Sequence, residues 1–359
     1  MSKVKAGIIG CGGIANGKHL PNIKATGLAD MAGFCDIIEE RAEKACGTYG
    51  AEGAKVYADY KELLKDEEIE AVYICTPNRS HSEITVAALE SGKHVLCEKP
   101  MAINAKEALK MVEAAKETGK LLSVGYQNRF RPDSRYIKKF AENGGLGDVY
   151  FAQAKAIRRR KVPTWGVFLN EEEQGGGPLI DIGTHALDLT LWIMDNYKPK
   201  YAVGTVYHKL NKQTETGNAW GDWDTERFTV EDSAFGFVVM ENGATVQLAS
   251  SWALNYRHPQ EAVFTMVGTK AGIDFEDGLY INSVQGGKLV DAKVNVAGEG
   301  VNYYASVGNE KAEIVEQTVF LNAVLGKGEL TVTPVQAYTV TLILDAIYES
   351  AKTGKPVYF

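Results

Sequence analysis

The first 125 residues alternate short apolar runs with amphipathic segments of helical period, and this alternation limits the folds open to the chain. Strands that alternate with helices build a parallel sheet through right-handed crossovers, with helices on both faces. We therefore predict an N-terminal α/β Rossmann domain, a doubly wound parallel sheet, over residues 1–125. Its apolar runs are VKAGIIG, MAGFCD, AVYICTP, HVLCEKP and LLSVGY, and its predicted helices cover 13–26, 39–49, 80–91 and 106–117.

After about residue 147 the pattern changes to an alternation of apolar and polar residues, which is typical of half-exposed antiparallel strands. We predict an α+β domain over 126–359, with a large, mostly antiparallel open sheet and helices on one face. The predicted strands cover 149–156, 201–209, 227–240, 245–254 and 262–267, and the helical patterns cover 183–194, 310–325 and 335–352.

The composition excludes several classes of protein. A chain of 359 residues, 45% of them hydrophobic, can bury two cores of ordinary size. Its formal net charge of −7 argues against a nucleic-acid partner. The one basic cluster, at 158–161, is interpreted as a solvated strand end or as a contact with a substrate or partner. No apolar window reaches the length of a membrane span and no leader pattern is present, so we expect no membrane partner and a cytoplasmic location.

The cysteines are odd in number and lack the spacing of metal ligands, so we interpret them as reduced packing residues rather than disulfide partners. They are Cys11, Cys35, Cys46, Cys75 and Cys97.

A glycine-rich turn follows the first strand and fits the pattern G-x-G-x-x-G/A. Gly10 permits the tight turn, Gly12 lets the backbone approach a pyrophosphate, and Ala15 keeps the helix close to the strand. Gly13 and Ile14 complete this predicted cofactor contact. The alternative is a glycine-rich turn without a ligand, but the strand before it and the helix after it favour a dinucleotide.

Asp36 closes the second strand and can accept hydrogen bonds from both hydroxyls of an adenosine ribose. Its charge would repel a 2′-phosphate, so the sequence favours NAD over NADP. Arg41 lies five residues further on and could reach a 2′-phosphate, although its position is that of an ordinary helix surface residue.

Polar residues follow the strand AVYIC, at an edge of the sheet where ligands of doubly wound folds bind. We predict that they contact the cofactor. The alternative is local: a turn at 77–78, a helix capped by Ser80 with Glu83 three residues on, and a structural histidine. The predicted contacts are Thr76, Pro77, Asn78 and His81.

Glu98, Lys99 and Pro100 end the strand HVLC. A lysine at this strand end would stand beside a nicotinamide and could hydrogen-bond the reacting oxygen, and we also place Glu98 among the cofactor contacts. Pro100 restricts Lys99 to extended geometry and permits a cis bond before it. The alternative is a surface lysine followed by a turn proline.

The densest group of polar residues in the second domain follows three glycines and a proline at 175–178. Asp181 and His185 are four residues apart and Asp188 lies three further on, so they share one helix face. A carboxylate beside an imidazole is a common arrangement for a general base. We interpret the glycines as backbone that approaches a ligand rather than backbone that packs. A helix end with acidic caps and a zinc site are the alternatives, and we predict no metal because no further Cys or His cluster supports one.

Together these motifs, with GGPLIDIGTHALD at 176–188, resemble the Gfo/Idh/MocA family, which includes glucose-fructose oxidoreductase and inositol dehydrogenase. The resemblance spans essentially the whole chain. It implies an N-terminal domain that binds NAD(P), and a C-terminal open sheet that forms the substrate wall and a dimer or tetramer interface. It also implies a catalytic lysine at Lys99, a substrate-binding aspartate at Asp181 and an acid/base histidine at His185.

From this resemblance we predict an oxidoreductase that acts on a secondary hydroxyl, or the matching ketone, of a cyclic polyol, sugar or glycoside. His185 would remove the hydroxyl proton while a hydride passes to the nicotinamide. Polar residues at the end of the run LLSVGY and tryptophans in the loops 161–173 and 212–224 are further candidates, and Trp252 is expected in the core. The added candidates are Tyr126 and Arg158 for the substrate, Gln127 for the cofactor, and Trp165, Trp220 and Trp223 for stacking on a sugar or aglycone.

Three alternatives stay open. A glycoside 3-dehydrogenase would suit tryptophan-bearing loops. Redox-assisted glycoside cleavage would use tightly bound NAD that is regenerated in each turnover. A non-catalytic NAD-binding regulator is less consistent with the intact Lys99, Asp181 and His185.

Overall fold

The computed structural model describes residues 3–296 and 311–359. The chain divides into two units, Met1–Phe130 with Glu310–Tyr338, and Arg131–Asn309 with Thr339–Phe359. This division differs from the boundary predicted after residue 125, because a C-terminal segment belongs to the first unit. Residue 310, with which one predicted helix begins, lies outside the described residues.

The first unit contains a six-stranded sheet in which every neighbouring pair is parallel, in the order β3-β2-β1-β4-β5-β6. This is the strand order of the dinucleotide-binding Rossmann fold, so the predicted α/β class is confirmed. The strands are β1 (Val4–Ile9), β2 (Ala29–Cys35), β3 (Gly50–Tyr57), β4 (Ala71–Ile74), β5 (His94–Cys97) and β6 (Leu122–Val124).

Four of the helices that connect these strands lie where the sequence predicts them, whereas the short helix at Tyr60–Leu64 was not predicted. Asn104 begins α5 by accepting a hydrogen bond from the backbone N–H of Glu107 at 2.9 Å, and Gly119 ends it with φ +67°. The helix after the glycine-rich turn opens with a π-helical turn, Ala15–His19. The helices are α1 (Leu20–Thr26), α2 (Glu39–Tyr49), α3 (Tyr60–Leu64), α4 (His81–Glu90) and α5 (Ala105–Thr118).

The second unit contains a nine-stranded sheet in the order β14-β13-β12-β11-β7-β10-β9-β8-β15. Neighbours are antiparallel except β7 and β10, which are parallel, so the prediction of a mostly antiparallel sheet is confirmed. The strands are β7 (Val149–Ile157), β8 (Pro199–Tyr207), β9 (Ser233–Met240), β10 (Thr245–Ser251), β11 (Glu261–Gly268), β12 (Ala271–Asp274), β13 (Tyr280–Gln285), β14 (Lys288–Lys293) and β15 (Val357–Tyr358).

The strand predicted over 227–240 begins only at Ser233. The backbone N–H groups of Arg227 and Phe228 donate to the carbonyl of Asp224 and form a turn instead. The strands β12 to β15 were not predicted.

Helices of the second unit are α6 (Pro132–Glu142), α7 (Glu171–Gln174) and α8 (Thr184–Met194), with a π-helical turn, Leu179–Gly183, directly before α8. The last helices are α9 (Ala312–Val324) and α10 (Pro334–Thr353), and the division between the units falls within α10. Ile347 of α10 packs on the sheet where Gly236 lies, since a Cβ at Gly236 would come within 2.4 Å of its Cδ1.

The C-terminal helix α9 completes the core of the first unit. Phe320 and Leu321 are buried in the same cluster as Ile8, Leu20 and Tyr73. The guanidinium of Arg129 donates to the carbonyl of Thr331 at 2.8 Å and to Gln336 at 2.6 Å. A segment near the end of the sequence is therefore part of the N-terminal unit.

All five cysteines are unpaired, and four of them are buried, as the sequence predicts. Within the part of the chain that the structure describes, no helix is both long enough and apolar enough to cross a membrane.

Candidate active site

The glycine-rich turn after β1 leaves room for a ligand. Gly10 has φ +90°, and a Cβ there would lie 2.7 Å from the backbone of Cys75. Nothing lies within 4 Å of a Cβ built on Gly12 or on Gly13, so these two glycines leave open space. Ile14 is 43% exposed beside them, an apolar surface that a bound group could cover.

Asp36 closes this turn from the end of β2. Its Oδ2 accepts a hydrogen bond from the N–H of Cys11 at 2.8 Å, and its Oδ1 accepts one from the N–H of Ile38 at 2.8 Å. Each carboxylate oxygen keeps further acceptor capacity, which suits ribose hydroxyls. Ile37 is 93% exposed next to it, whereas Arg41 is an exposed residue of α2.

A dinucleotide fits these residues. The turn at Gly12 and Gly13 is open, the carboxylate of Asp36 is held in place, and the Oγ1 of Thr76, at the end of β4, is buried without a hydrogen-bond partner in residues 3–296 and 311–359. Such an orphaned polar atom beside an open turn suits a polar ligand.

His81 braces the loops that follow β4 and β5. Its Nδ1 lies 2.8 Å from the carbonyl oxygen of Pro100, and its Nε2 lies 2.9 Å from that of Thr76. Burial lowers the pKa of His81, and a neutral ring can donate to only one of the two carbonyls. These contacts favour the structural alternative for His81 over direct contact with a cofactor.

Ser80 occupies the N-cap position of α4, as the local alternative has it, but its side chain does not cap the helix. The hydroxyl of Ser80 donates to the carbonyl of Pro77 at 2.9 Å and makes no capping hydrogen bond to the helix. Asn78 is buried in the same turn.

Glu98 holds the backbone of the predicted catalytic lysine. Its Oε2 accepts a hydrogen bond from the N–H of Lys99 at 3.0 Å, and the bond between Lys99 and Pro100 is cis, which the sequence had allowed. The other oxygen, Oε1, lies 2.8 Å from Lys18 Nζ and 2.7 Å from His19 Nε2. Both oxygens of Glu98 are thus engaged within the protein, which favours a positioning role over a direct cofactor contact.

A buried ion cluster surrounds Glu98. Lys18 also lies 3.0 Å from Glu316 of α9, and Gln317 lies 3.2 Å from His19. Although burial opposes its charge, the carboxylates of Glu316 and Glu98 raise the pKa of Lys18. Burial works against ionisation of Glu98 too, but Lys18 and His19 hold its pKa well below the ordinary value, whereas burial raises the pKa of Glu316.

Residues after β6 belong to the same region. The Oε1 of Gln127 accepts a hydrogen bond from Lys18 at 3.2 Å, and Tyr126 is fully buried. Lys18 therefore connects the helix after the glycine-rich turn to Glu98 and to a second predicted cofactor residue, Gln127.

In the second unit, the predicted acid/base residues lie on the π-helical turn before α8 and on α8 itself. Asp181, His185 and Asp188 are all buried, with exposures of 8%, 9% and 1%. Buried polar groups of this kind require partners, and two partners of Asp181 are clear.

Asp181 is held by Trp252 and faces Arg158. The Nε1 of Trp252 donates to Oδ2 of Asp181 at 3.0 Å, and Arg158 Nη1 lies 3.9 Å from the same oxygen. Arg158 makes a two-point ion pair with Glu261, at 2.7 Å and 2.5 Å. Arg158 is therefore a partner of two carboxylates rather than a solvated basic residue.

Two glycines before Asp181, Gly176 and Gly177, pack against other parts of the protein. The prediction that their backbone approaches a ligand is therefore wrong. A Cβ at Gly176 would lie 2.1 Å from the hydroxyl of Tyr348, and one at Gly177 would lie 2.2 Å from the carbonyl of Glu231. The carboxylate of Glu231 accepts from the N–H of Gly177 at 2.7 Å and of Leu179 at 3.0 Å.

Tyr348 adds a third donor to Glu231, at 2.9 Å. Burial raises the pKa of Glu231 to about 7 even though all three hydrogen bonds favour the charged form. Glu231 and Tyr348 thus fix the turn that carries Asp181.

Four of the five tryptophans divide into two pairs, and the fifth, Trp192, is buried in α8. Trp252 is fully buried, as predicted, and Trp223 is 5% exposed, so the loop position of Trp223 did not indicate its burial. Trp165 and Trp220 are exposed and contact each other.

The main residues that sequence reasoning missed are Lys18, Glu231, Glu316 and Tyr348. No local pattern marks them, because their partners are distant in the chain: Gly177 and Glu231 are 54 residues apart, and Glu231 and Tyr348 are 117 apart. The one signal in the sequence would have been a single charged residue at a position where the apolar pattern predicts burial.

Fold and site together define a dinucleotide-binding protein of the doubly wound class. Residues 4–126 match the oxidoreductase family with an NAD-binding Rossmann fold, and residues 134–274 match the GFO/IDH/MocA C-terminal domain. The chain belongs to the Gfo/Idh/MocA family of NAD-binding oxidoreductases.

Relatives with known names support the same assignment. The chain is 33% identical to D-glucoside 3-dehydrogenase of Escherichia coli K12 over 357 residues, covering 99% of this chain and 97% of that relative. It is 29% identical to inositol 2-dehydrogenase/D-chiro-inositol 3-dehydrogenase of Lactiplantibacillus plantarum over 194 residues, covering 54% of this chain and 53% of that relative. The predicted family, NAD-binding domain and oxidoreductase class are confirmed.

The fold is also that of a solved structure, levoglucosan dehydrogenase in complex with NADH and levoglucosan. The TM-score is 0.83 at 23% identity, over 99% of each chain.

Proposed function

We propose that the protein oxidises a secondary hydroxyl of a cyclic polyol, sugar or glycoside with NAD+, or reduces the matching ketone with NADH. The observation that carries this proposal is the setting of Asp181: a nine-tenths buried carboxylate, held by Trp252 and flanked by Arg158, on the turn that leads to His185. A fixed, dry acceptor of this kind suits a sugar hydroxyl.

In this proposal His185 accepts the hydroxyl proton as the carbon–oxygen double bond forms, and Lys99 donates a hydrogen bond to the reacting oxygen. Asp181 accepts a hydrogen bond from a neighbouring hydroxyl. NAD+, when held by the first unit, would supply the acceptor for the hydride and its two electrons, so that one NADH and one proton are formed for each ketone. General base catalysis contributes about 10²- to 10⁴-fold, and positioning of the reacting carbon must supply the rest.

The glycine-rich turn, Asp36 and the orphaned hydroxyl of Thr76 would hold the dinucleotide. Pro77 and Asn78 would border the same site, and the exposed side chain of Ile14 would be covered by the dinucleotide. Lys18, Glu98 and His81 act behind these residues: they fix the strand ends and loops that carry Lys99, Thr76 and Gln127.

A glycoside 3-dehydrogenase is the second candidate, favoured by the exposed tryptophan pair and by the named relative from Escherichia coli. Redox-assisted glycoside cleavage with retained NAD is a third. A regulator without catalysis is disfavoured, because a sensor does not need a buried carboxylate and imidazole on one turn.

The experiment is an absorbance assay at 340 nm with purified protein, excess NAD+, and separate additions of myo-inositol, scyllo-inositol, glucose, and alkyl and aryl glucosides. An increase in NADH absorbance with one of these compounds supports the dehydrogenase and identifies its substrate class. If no NADH forms but mass spectrometry detects a cleaved product, retained NAD is correct and the dehydrogenase proposal fails.

We also propose a homodimer or homotetramer that pairs through the outer face of the nine-stranded sheet. That face carries partly exposed aromatic residues on three strands, namely Tyr207, Phe237 and Tyr358. Exposed apolar patches on a sheet face commonly mark a surface that a partner covers. Light scattering would contradict this proposal if it gave the mass of one chain. The unpaired cysteines are consistent with a cytoplasmic location, which we retain as a proposal.

A further inference from the structure

Two exposed tryptophans lie side by side in the second unit. The ring centroids of Trp165 and Trp220 are 5.1 Å apart and their planes are inclined by 67°, so the rings meet edge to face. They are 52% and 40% exposed. Phe168 extends the group, with its ring centroid 5.9 Å from that of Trp165. Exposed rings in mutual contact form a continuous apolar surface rather than isolated surface residues.

Hydrogen bonds between their loops hold the two rings in place. Asn218 accepts from the N–H of Val162 at 2.8 Å and donates to its carbonyl at 3.0 Å, and the hydroxyl of Thr164 donates to the carbonyl of Trp220 at 2.8 Å. Because the loops are joined in this way, the aromatic surface exists before a ligand binds. Preorganisation of this kind lowers the entropic cost of binding.

Arg158 connects this surface to Asp181. The guanidinium carbon lies 5.3 Å from the centroid of the Trp220 ring, while Nη1 lies 3.9 Å from Oδ2 of Asp181. Its Nε and Nη2 donate to Glu261, whereas Nη1 donates no hydrogen bond within residues 3–296 and 311–359. A donor is therefore available between the aromatic pair and the carboxylate.

We propose that Trp165 and Trp220 form a subsite for the flat, apolar aglycone of a glycoside whose sugar ring is held at Asp181, with Arg158 Nη1 donating to an oxygen at the junction of the two parts. This inference rests on the proposed function and narrows its substrate class. The guanidinium of Arg158 lies between the two groups, 5.3 Å from the ring centroid of Trp220 and 3.9 Å from the carboxylate of Asp181. A second group attached to the sugar can therefore reach the aromatic pair.

The charge around Arg158 disfavours a phosphorylated sugar. Two carboxylates, Glu261 and Asp181, flank the guanidinium of Arg158, so the charge of this side chain is compensated and it offers no net attraction to a phosphate. The other three tryptophans do not compete for the role, because Trp192, Trp223 and Trp252 are buried.

The test compares kcat/KM for phenyl and methyl glucosides of the same anomeric configuration, measured by NADH formation. The wild type should favour the phenyl glucoside. Trp220→Ala and Trp165→Ala should each lower the phenyl-to-methyl ratio by about 3- to 10-fold, the range expected for loss of an aromatic contact. Trp220→Phe should keep most of the preference. Tyr136→Ala, which removes an exposed aromatic ring from α6, is the matched control and should leave the ratio unchanged.

Each other outcome has a separate meaning. If no sugar reduces NAD+ in the wild type, the proposed function itself fails. Trp165→Ala is the safer variant, because this side chain is exposed. If its kcat/KM falls equally for the methyl and the phenyl glucoside, or changes for neither, the subsite is wrong and the dehydrogenase stands. A preference for glucose 6-phosphate, or a change of oligomer mass in Trp220→Ala, would likewise overturn the subsite.

Discussion

The indole of Trp252 donates a hydrogen bond to the carboxylate of Asp181 at 3.0 Å, and both groups are buried. A tryptophan that packs in the core of the second unit thus also orients the predicted substrate-binding aspartate. Packing and orientation can be separated by substitution, because phenylalanine keeps most of the ring but lacks the N–H.

Trp252→Phe should lower kcat/KM by about 10- to 100-fold, since a hydrogen bond to a charged group contributes about 1.5–3 kcal/mol. Trp223→Phe is the matched control: the Nε1 of Trp223 is buried and has no hydrogen-bond partner within the described ranges 3–296 and 311–359, so its removal should change kcat/KM little. Equal effects of the two substitutions on steady-state kinetics would mean that only packing matters.

His185→Ala should lower kcat by about 10²- to 10⁴-fold, the usual contribution of a general base. The affinity for NAD+, measured by fluorescence titration, should stay within about twofold of the wild type, because only the proton acceptor has been removed. A variant with near-normal kcat would exclude His185 from the base role.

Asp36→Ala should raise the Kd for NAD+ by about 10- to 100-fold. The substitution removes the acceptor for the ribose and also the two hydrogen bonds that join Cys11 and Ile38 across the turn. Discrimination against NADP+ should fall, because the repelling charge is lost. Asp30→Ala, which removes an exposed carboxylate paired with Lys3, is the control and should leave both affinities unchanged in calorimetric titration.

Glu231 should make the fold less stable as the pH rises. Its pKa is raised from 4.5 to about 7, so the folded state holds its proton more tightly than the unfolded state does. That contribution is fully present below about pH 4.5 and is lost as the pH rises through about 7, a change of about 3 kcal/mol.

Glutamine does not titrate, so the free energy of unfolding of the wild type, minus that of Glu231→Gln, should fall by about this amount between pH 4.5 and 8. Urea unfolding at several pH values measures the difference. Tyr348→Phe, which removes one donor to the carboxylate, should enlarge the pH dependence. A constant difference between wild type and Glu231→Gln would contradict the prediction.

Lys18→Met should destabilise the protein by about 3–5 kcal/mol, because it leaves the buried carboxylates of Glu98 and Glu316 without their ammonium partner. Adding Glu316→Gln should recover part of this loss, since one of the two uncompensated carboxylates is removed. Thermal unfolding measures both. Lys65→Met, in an exposed ion pair with Glu62, should not shift the midpoint measurably. A Lys18→Met variant as stable as the wild type would show that the cluster contributes nothing.

Local patterns predicted most of the regular structure. The helix α2 covers 39–49 as predicted, and β7, β10 and β11 begin within one residue of their predicted starts. Periodicity failed where the local sequence was ambiguous. Residues 227–232 alternate like a strand but lie at the end of a turn and in an irregular segment after it, and the short strand β12 and the polar strand β14 lack a strong apolar pattern.

In the candidate site, too, local patterns predict some residues and not others. Gly10, Gly12 and Asp36 are recognisable because a strand, a turn and a helix impose their spacing. The partners of Asp181 and the ion cluster at Lys18 are joined across long separations in the chain, for example 71 residues between Asp181 and Trp252. No local spacing constrains such pairs, so their contacts could not be predicted.

By itself, the sequence determined the two-domain plan, the Rossmann class of the first unit, the glycine-rich turn and the family. The tertiary structure decided that α9 completes the first unit, that Gly176 and Gly177 are glycines because Tyr348 and Glu231 occupy their Cβ space, and that Glu98 is bound within the protein. The physical reason is that periodicity and turn chemistry act between neighbours in the chain, whereas packing and buried charge pairing act between residues that only folding brings together.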